Sequence, residues 1–192
     1  MSLEKLDSMF KPKTIAVIGA TTNKNSVGYA LIKNLIGSEY EGIVYPVNPK
    51  RPSVMGVKCY PSISKINDKI DLAIIATPSI TVPDIVEECG RKKVESIIII
   101  SAGFKEAGKE GLARTKKILE SAKKHDMKIL GHNCLGFIKP SLNLNATFSN
   151  KMALSGKIAF ISQSGALGTA ILDWSINQNV GFSYFVSLGS MI

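Results

Sequence analysis

Four short stretches hold the residues whose types and spacing suit chemistry. The first is Gly19-Ala-Thr-Thr-Asn-Lys-Asn-Ser-Val-Gly28, set between an apolar run and a helical pattern. Backbone N–H groups at such a strand-to-helix turn point out of the helix N-terminus, where the dipole favours an anion, and glycines let a pyrophosphate come close. Thr21 stands where a dinucleotide fingerprint has its second glycine, and the loop is longer, so Gly-x-Gly-x-x-Gly is absent. Binding of a nucleotide phosphate is the chemistry this turn offers; the alternative is a βα turn that only joins two elements.

The second stretch, Asn48-Pro49-Lys50-Arg51, follows the next apolar run. An NAD site wants Asp or Glu there for the ribose hydroxyls. Two cations take that place, which suits a ribose carrying a phosphate, as in NADP or the 3′-phosphate of coenzyme A. Solvated loop charge is the plainer alternative. Third come Thr77-Pro78 and Ser101-Ala-Gly-Phe104, each closing a strand at the edge where ligands of open α/β sheets bind. Pro78 could simply end its strand, and Phe104 could either cover an apolar ligand part or pack in the core. The fourth stretch is Ile161-Ser-Gln-Ser-Gly165, where a strand delivers hydroxyls and a glycine to a helix start. Ser164 as a helix cap competes there with phosphate binding.

The elements that position these stretches follow from apolar periodicity. Thr14 to Ile18, Ile43 to Val47, Asp71 to Ala76, Ser96 to Ser101 and Met127 to Leu130 read as strands. Helical patterns over Val27 to Ile36, Val82 to Lys92 and Lys109 to Lys124 lie between them, the alternation of a parallel sheet with crossover helices. From Gly131 to Ser155 a turn-rich passage holds four Asn, three Ser and a Pro without clear periodicity. Lys157 to Ile161, Ala166 to Ile176 and Phe182 to Val186 then form a further β-α-β unit. The expected organisation is α/β: a Rossmann-like doubly wound domain over 1–132, a linker over 133–155 and the first β-α-β of an incomplete domain over 156–192.

Composition narrows the class. With 192 residues, 45% apolar and 20% charged, the chain is an ordinary globular protein rather than a disordered or fibrous one. The start, Met1-Ser-Leu-Glu-Lys, carries no basic leader with an apolar core, and Ile97 to Ile100 is too short to cross a bilayer, so a cytoplasmic location without membrane association is expected. Cys59, Cys89 and Cys134 are odd in number and lack a Cys-x-x-Cys pair, which argues against disulfides or zinc; no metal site is expected. The net charge of +9 invites nucleic acid as a partner, but Lys116, Lys117, Lys123 and Lys124 sit on the solvated side of one helix without interleaved aromatics. A polyanionic small ligand or an acidic partner subunit are other uses for the charge.

Taken together, the strings in register carry a resemblance. Ile15-Ala-Val-Ile-Gly-Ala20, Asn25-Ser-Val-Gly28, Val44-Tyr-Pro-Val-Asn-Pro-Lys50 and Gly56-Val-Lys-Cys-Tyr-Pro61 are similar to the CoA-binding domain of ADP-forming acetyl-CoA synthetases. So are Ser101-Ala-Gly-Phe104, Gly131-His-Asn-Cys-Leu-Gly136, Asn143-Leu-Asn-Ala-Thr-Phe148, Ile158-Ala-Phe-Ile-Ser-Gln-Ser-Gly-Ala-Leu167, Asp173-Trp174 and Phe185-Val-Ser-Leu-Gly189. The wider superfamily includes the succinyl-CoA synthetase α subunit, whose flavodoxin-like domain would begin in the last β-α-β unit. The resemblance implies a reaction in which acyl-CoA, ADP and phosphate interconvert with acid, ATP and CoA through an acyl phosphate and a phosphohistidine. It implies that Gly19, Ser26 and Gly28 hold the CoA phosphates, that Lys50 meets the phosphoadenosine end and that Thr77 and Pro78 line the coenzyme path. Asn133 would lie near the thiol, while Ser162, Ser164 and Gly165 would open the helix that steadies the phosphorylated histidine.

Two departures stand out. His132 occupies a position where the family string usually has Pro, and it reads as a loop substitution rather than as the phosphoryl carrier, because no orienting partner is visible. The ending Ser187-Leu-Gly-Ser-Met-Ile192 falls where the family continues toward its carrier histidine. The chain alone is therefore expected to bind CoA and a small carboxylic acid or acyl-CoA without completing catalysis. ADP or ATP with Mg would sit on an ATP-grasp domain or β subunit elsewhere. A non-catalytic CoA-binding module and an NADP-dependent oxidoreductase are the competing classes.

Overall fold

The computed structural model describes residues 4–191; Met1 to Leu3, where part of the leader was sought, and Ile192 lie outside them. A short helix α1 (Glu4–Phe10) precedes β1 (Thr14–Ile18), α2 (Val27–Gly37) and β2 (Ile43–Val47). A two-residue hairpin of β3 (Ser53–Val54) and β4 (Val57–Lys58) leads to β5 (Leu72–Ile75), α3 (Val82–Arg91), β6 (Ser96–Ile99), α4 (Gly108–His125) and β7 (Lys128–Gly131). Strands β1, β2, β5, β6 and β7 are the five apolar runs read from the sequence, and they pair in parallel in the order β2-β1-β5-β6-β7. The residues of the three central strands β1, β5 and β6 are buried apart from Thr14, as parallel strands covered by helices on both faces must be.

Alternation divides each strand between two cores. Ile15, Val17, Leu72, Ile74 and Ile98 face Leu31, Ile32 and Leu35 of α2. Ala16, Ile18, Ala73, Ile75, Ile97 and Ile99 face Val82, Val86 and Cys89 of α3 and Ile118 and Ala122 of α4. Each fully buried aliphatic side chain contributes about 1.5–3 kcal/mol. Because the chain leaves β1 toward β2 on one side and returns to β5 on the other, the order reverses between β1 and β5, and a crevice opens beyond their carboxyl ends.

The passage expected to be a linker over 133–155 instead contains a β-hairpin. β8 (Gly136–Lys139) and β9 (Leu144–Thr147) form an antiparallel pair, and β10 (Ser155–Ser162), α5 (Gly165–Asn177) and β11 (Phe182–Ser187) follow. These strands make a four-stranded sheet in the order β10-β11-β8-β9, with β10 and β11 parallel and β8 antiparallel to β11. The strands were hidden because β8 and β9 are buried on both faces and carry polar residues inside. Asn145 and Thr147 are buried yet satisfied: Asn145 Oδ1 accepts from the Thr147 hydroxyl at 2.7 Å, and Asn145 Nδ2 donates to Lys151 O at 3.2 Å. No alternation of polar and apolar types marks such a strand.

The hairpin also joins the two sheets. Phe137, Leu144, Ala146 and Val186 belong to the same apolar cluster as Ile15 and Leu31. Helix α1 caps this layer, with Phe10 edge-on to Phe137 and to Tyr184 at ring separations of 5.1 and 5.6 Å. Asn34 of α2 donates through Nδ2 to Thr147 O at 2.8 Å and to Ser149 O at 2.7 Å. A third cluster, with Leu135, Ile138, Leu172 and Phe185, packs the far face of the second sheet against α5.

Candidate functional site

The turn after β1 is built around two close approaches. Gly19 has φ +97°, and a Cβ there would lie 2.5 Å from Ala76 O and 3.1 Å from the Thr77 methyl. A Cβ on Gly28 would lie 2.0 Å from Gly19 O, so α2 sits against the end of β1 as only a glycine permits. Ser26 caps α2, its Oγ accepting from Tyr29 N at 3.3 Å and donating to Asn23 O at 2.8 Å. These contacts bring the α2 N-terminus to the crevice.

Asn48, just past β2, fixes the facing loop. Its Nδ2 donates to Ala20 O at 2.8 Å and its Oδ1 accepts from Lys50 N at 2.8 Å, so one side chain ties the β1 and β2 ends together and sets the start of the basic segment. Between these loops and α3 lies a cavity of about 580 Å³. Ile18, Val47, Ile63 and Ile85 give it apolar walls, with Gly19, Lys50, Thr77 and Pro78 among its other lining residues. Thr81 Oγ1 donates to Pro78 O at 2.8 Å and lies 2.9 Å from Thr77 Oγ1. This is a slot for a flat apolar group with a cation at its rim.

A second cavity of about 790 Å³ opens on the other side of Thr77 and Ala76, which line both. Ser101 Oγ donates to Thr77 O at 2.6 Å and holds the β5 and β6 ends together at this junction. Val27, Asn133, Cys134, Leu135 and Phe148 line one part, and Gln163, Ser164, Gly165 and Thr169 line another. Ser164 caps α5 by accepting from Leu167 N at 3.2 Å, and Ser164 N donates to Ser162 Oγ at 3.1 Å. The α5 N-terminus therefore faces the carboxyl edge of the first sheet across this space.

The loop between β7 and β8 is tied to both sheets. Asn133 N donates to Ser101 O at 3.0 Å, Leu135 N to Ser187 Oγ at 3.0 Å and Ser190 N to His132 O at 2.9 Å. Asn133 is exposed with φ +53°, a conformation Asn tolerates better than most residues. Cys134 is buried, and desolvation pushes its thiol up to about 12, so it stays protonated at neutral pH. Cys59 and Cys89 are buried and unpaired as well. Phe104 is fully buried against the His132 ring and so packs in the core, where the sequence left ligand contact open.

The structure thus gathers Gly19, Lys50, Thr77 and Pro78 around one cavity and Thr77, Asn133, Ser164 and Gly165 around the other. Ser26, Gly28 and Ser162 line neither; Ser26 and Gly28 shape the α2 start, and Ser162 supports Ser164. Sequence reasoning gave no role to Asn48, Asn34 or Phe148. Asn directly after a strand is a signal for the Asx turn that Asn48 makes, whereas nothing in the sequence ties Asn34 to a hairpin more than a hundred residues away. Among the described residues no cluster of metal-ligating side chains occurs, and no helix is long and apolar enough to cross a membrane. Lys124 pairs with Glu87 at 2.8 Å and Lys116 lies 3.9 Å from Glu120, so part of the α4 charge is spent within the protein.

The chain is similar to known proteins along nearly its whole length. Residues 13–140 match the family described as CoA binding domain, and residues 155–192 match the succinyl-CoA ligase like flavodoxin domain. The chain is 49% identical over 185 residues to acetate–CoA ligase [ADP-forming] I of Archaeoglobus fulgidus, covering 96% of this chain and 27% of that protein. It is 47% identical over 187 residues to acetate–CoA ligase [ADP-forming] II subunit alpha of Pyrococcus furiosus, covering 97% of this chain and 40% of that one. The structure of dinucleotide forming acetyl-coenzyme A synthetase 1 of Ca. Korarchaeum cryptofilum, in complex with phosphate and ADP, superposes with a TM-score of 0.91 at 40% identity, over 96% of this chain and 39% of that chain. The chain spans between about a quarter and two fifths of the length of these relatives.

Proposed function

Since this chain belongs to the CoA-binding domain family and corresponds to the N-terminal CoA-binding and flavodoxin-like parts of ADP-forming acetyl-CoA synthetases, we propose that it is the coenzyme-binding portion of an acid–thiol ligase. The whole enzyme would interconvert acyl-CoA, ADP and phosphate with the free acid, ATP and CoA. The observation that carries this reading is the pair of cavities meeting at Ala76 and Thr77, one with a cation at its rim and the other facing a capped helix start.

The residues present suit coenzyme A. The apolar slot bounded by Ile18, Val47, Ile63 and Ile85 fits an adenine, and Lys50 stands where the ribose phosphate would emerge. The close packing at Gly19 and Gly28 leaves the α2 N-terminus free to receive a diphosphate on backbone N–H groups. Beyond Thr77 a pantetheine arm has a path into the larger cavity, toward Asn133 and the α5 start. The coenzyme, when bound, would supply a thiol that takes the acyl group from an acyl phosphate with release of phosphate, and the reverse. This chain's residues orient that thiol, while Ser164, Gly165 and the α5 N–H groups stabilise negative charge on a phosphoryl group opposite it. The phosphorylated histidine and the ATP-grasp nucleotide site with its Mg come from outside these residues, on a partner subunit or a further domain.

Thermal-shift titration with CoA, dephospho-CoA, NADP and NAD tests the binding reading. CoA should raise the melting temperature most and dephospho-CoA less, with no response to either nicotinamide cofactor. Stabilisation by NADP but not CoA would replace this function with an oxidoreductase. Adding the remaining ligase parts and measuring acyl-CoA-dependent ATP formation separates a synthetase from a binding module, because a module gives none.

A further inference from the structure

The side chain of His132 is fully buried between the β7 end and α4, directly beside the two residues that bring the β7–β8 loop into the larger cavity. Its ring stacks on Phe104 with centroids 4.1 Å apart and planes 13° from parallel. Phe104 cannot retreat, because α4 lies so close beneath it that a Cβ on Gly111 would fall 1.6 Å from Phe104 O. The Thr115 hydroxyl lies 3.4 Å from His132 Nε2 and donates its own hydrogen to Gly111 O at 3.1 Å. With its hydrogen on Gly111 O, Thr115 accepts from the ring, and in that tautomer the proton sits on Nε2 and Nδ1 is a bare lone pair; in either tautomer a charged ring would carry an N–H at Nδ1. Nδ1 is buried without a hydrogen-bond partner among the described residues.

We infer that His132 is a positioning residue whose neutral ring, stacked on Phe104, holds Asn133 and Cys134 in the wall of the larger cavity, so that taking up a proton there weakens the hold on the thiol end of the coenzyme. This rests on the reading that the larger cavity receives that end. The physical reason is that protonation at Nδ1 creates a charged N–H with no acceptor in an apolar stack, and the ring must leave it to be solvated. The loop would then lose its seat, although Asn133 N and Leu135 N remain tethered to Ser101 O and Ser187 Oγ. Burial accordingly lowers the tendency of His132 to become charged. On the segment after Phe104, Glu106 favours the cation and Lys105 opposes it; Gly111 and Thr115 of α4 are uncharged, and Cys134 stays protonated. Among the described residues no carboxylate is bonded to the ring to offset its desolvation.

The test compares the intact chain with His132→Phe, which keeps a stack but cannot titrate, and His132→Ala, which loses the stack. CoA dissociation constants and the Asn133 and Leu135 amide resonances are measured at about pH 7.5 and about pH 4.5, the lower point set well beneath the ordinary imidazole range because burial displaces this ring downward. Titration of the CoA phosphate itself is common to all three proteins and cancels in the ratios. The unsubstituted chain should lose about fivefold more affinity on acidification than His132→Phe, and His132→Ala should bind about tenfold more weakly at the higher pH with both amide resonances displaced. If His132→Phe does not fold, His132→Gln takes its place in the pH comparison. Equal pH profiles for the unsubstituted and non-titrating proteins, or wild-type affinity and unmoved resonances in His132→Ala, overturn the inference. If CoA binds at neither pH, the functional reading falls, and the amide resonances alone decide the role of His132: displaced in the Ala variant they support it, unmoved they refute it.

Discussion

Replacing Gly28 by Ala tests the close packing on which the proposed phosphate cradle depends. The added Cβ would stand 2.0 Å from Gly19 O and 2.9 Å from Gly19 C, both backbone atoms. Real Cβ atoms do not come within 3.0 Å, so α2 or the β1 end must move by about 1 Å. Neither can move freely, since Leu31, Ile32 and Leu35 lock α2 in the core and Gly19 N is bonded to Val47 O at 3.0 Å. A backbone clash this deep lies in the upper part of the overpacking range, about 2–3 kcal/mol, of which the better helix propensity of Ala recovers about 1 kcal/mol. The net loss of about 1–2 kcal/mol lowers the melting temperature by about 2–8 °C in a chain of this size. Gly37 lies in the same helix with nothing within 4 Å of its ideal Cβ, so Gly37→Ala serves as the control and should be neutral or slightly stabilising. Displacing the α2 start should also weaken CoA by about tenfold, a loss of about 1.4 kcal/mol. A Gly28→Ala protein that melts with the wild type and binds CoA equally well would refute the reasoning.

Three further outcomes are expected. Lys50→Ala should reduce the preference for CoA over dephospho-CoA by about tenfold while leaving dephospho-CoA binding almost unchanged, as read by isothermal titration; equal losses for both ligands would remove Lys50 from the ribose phosphate. Asn34→Ala leaves the buried Thr147 carbonyl without its side-chain donor, and should cost about 1–3 kcal/mol in denaturant unfolding with faster amide exchange around Thr147. Glu87 accepts from Lys124, Ser121 and His125, which hold its carboxyl down to about 2 from the usual 4.5. A depressed carboxylate stabilises the fold above the unfolded value and loses that contribution as pH falls toward the folded one, so Glu87→Gln should flatten the part of the acid-unfolding curve between 4.5 and about 2; an unchanged curve would contradict the assignment.

The first sheet was legible because β-branched runs such as Thr14 to Ile18 and Ser96 to Ile99 are buried on both faces and admit no other element of that length. Its helices carried apolar stripes, and their ends were found to within a residue or two at Val27–Gly37 and Gly108–His125. The hairpin of β8 and β9 was not legible, since Asn145 and Thr147 satisfy each other inside the protein and so resemble loop residues in the sequence. Helix α1 escaped notice for a different reason: seven residues are too few to show a period, and it is held by Phe10 against two aromatic rings from distant strands. Of the candidate site, the motif residues were visible as types at strand ends. What they share as space was not, because the meeting of the two cavities at Thr77 and the stacking of His132 on Phe104 depend on contacts between segments remote in sequence.

The apolar layer that β8 and β9 share with the first sheet makes the two halves mechanically inseparable. A gene cut near residue 132 would leave Ile15, Leu31 and their neighbours without Phe137, Leu144 and Ala146, and one cut near 155 would strip β11 of its antiparallel neighbour. Either fragment would surface an oily patch and aggregate, whereas the intact chain should melt in a single transition. The crevice at the first sheet and the start of α5 are thereby carried on one packed unit, so that a ligand gripped at the one, as proposed above, would lie in register with the other.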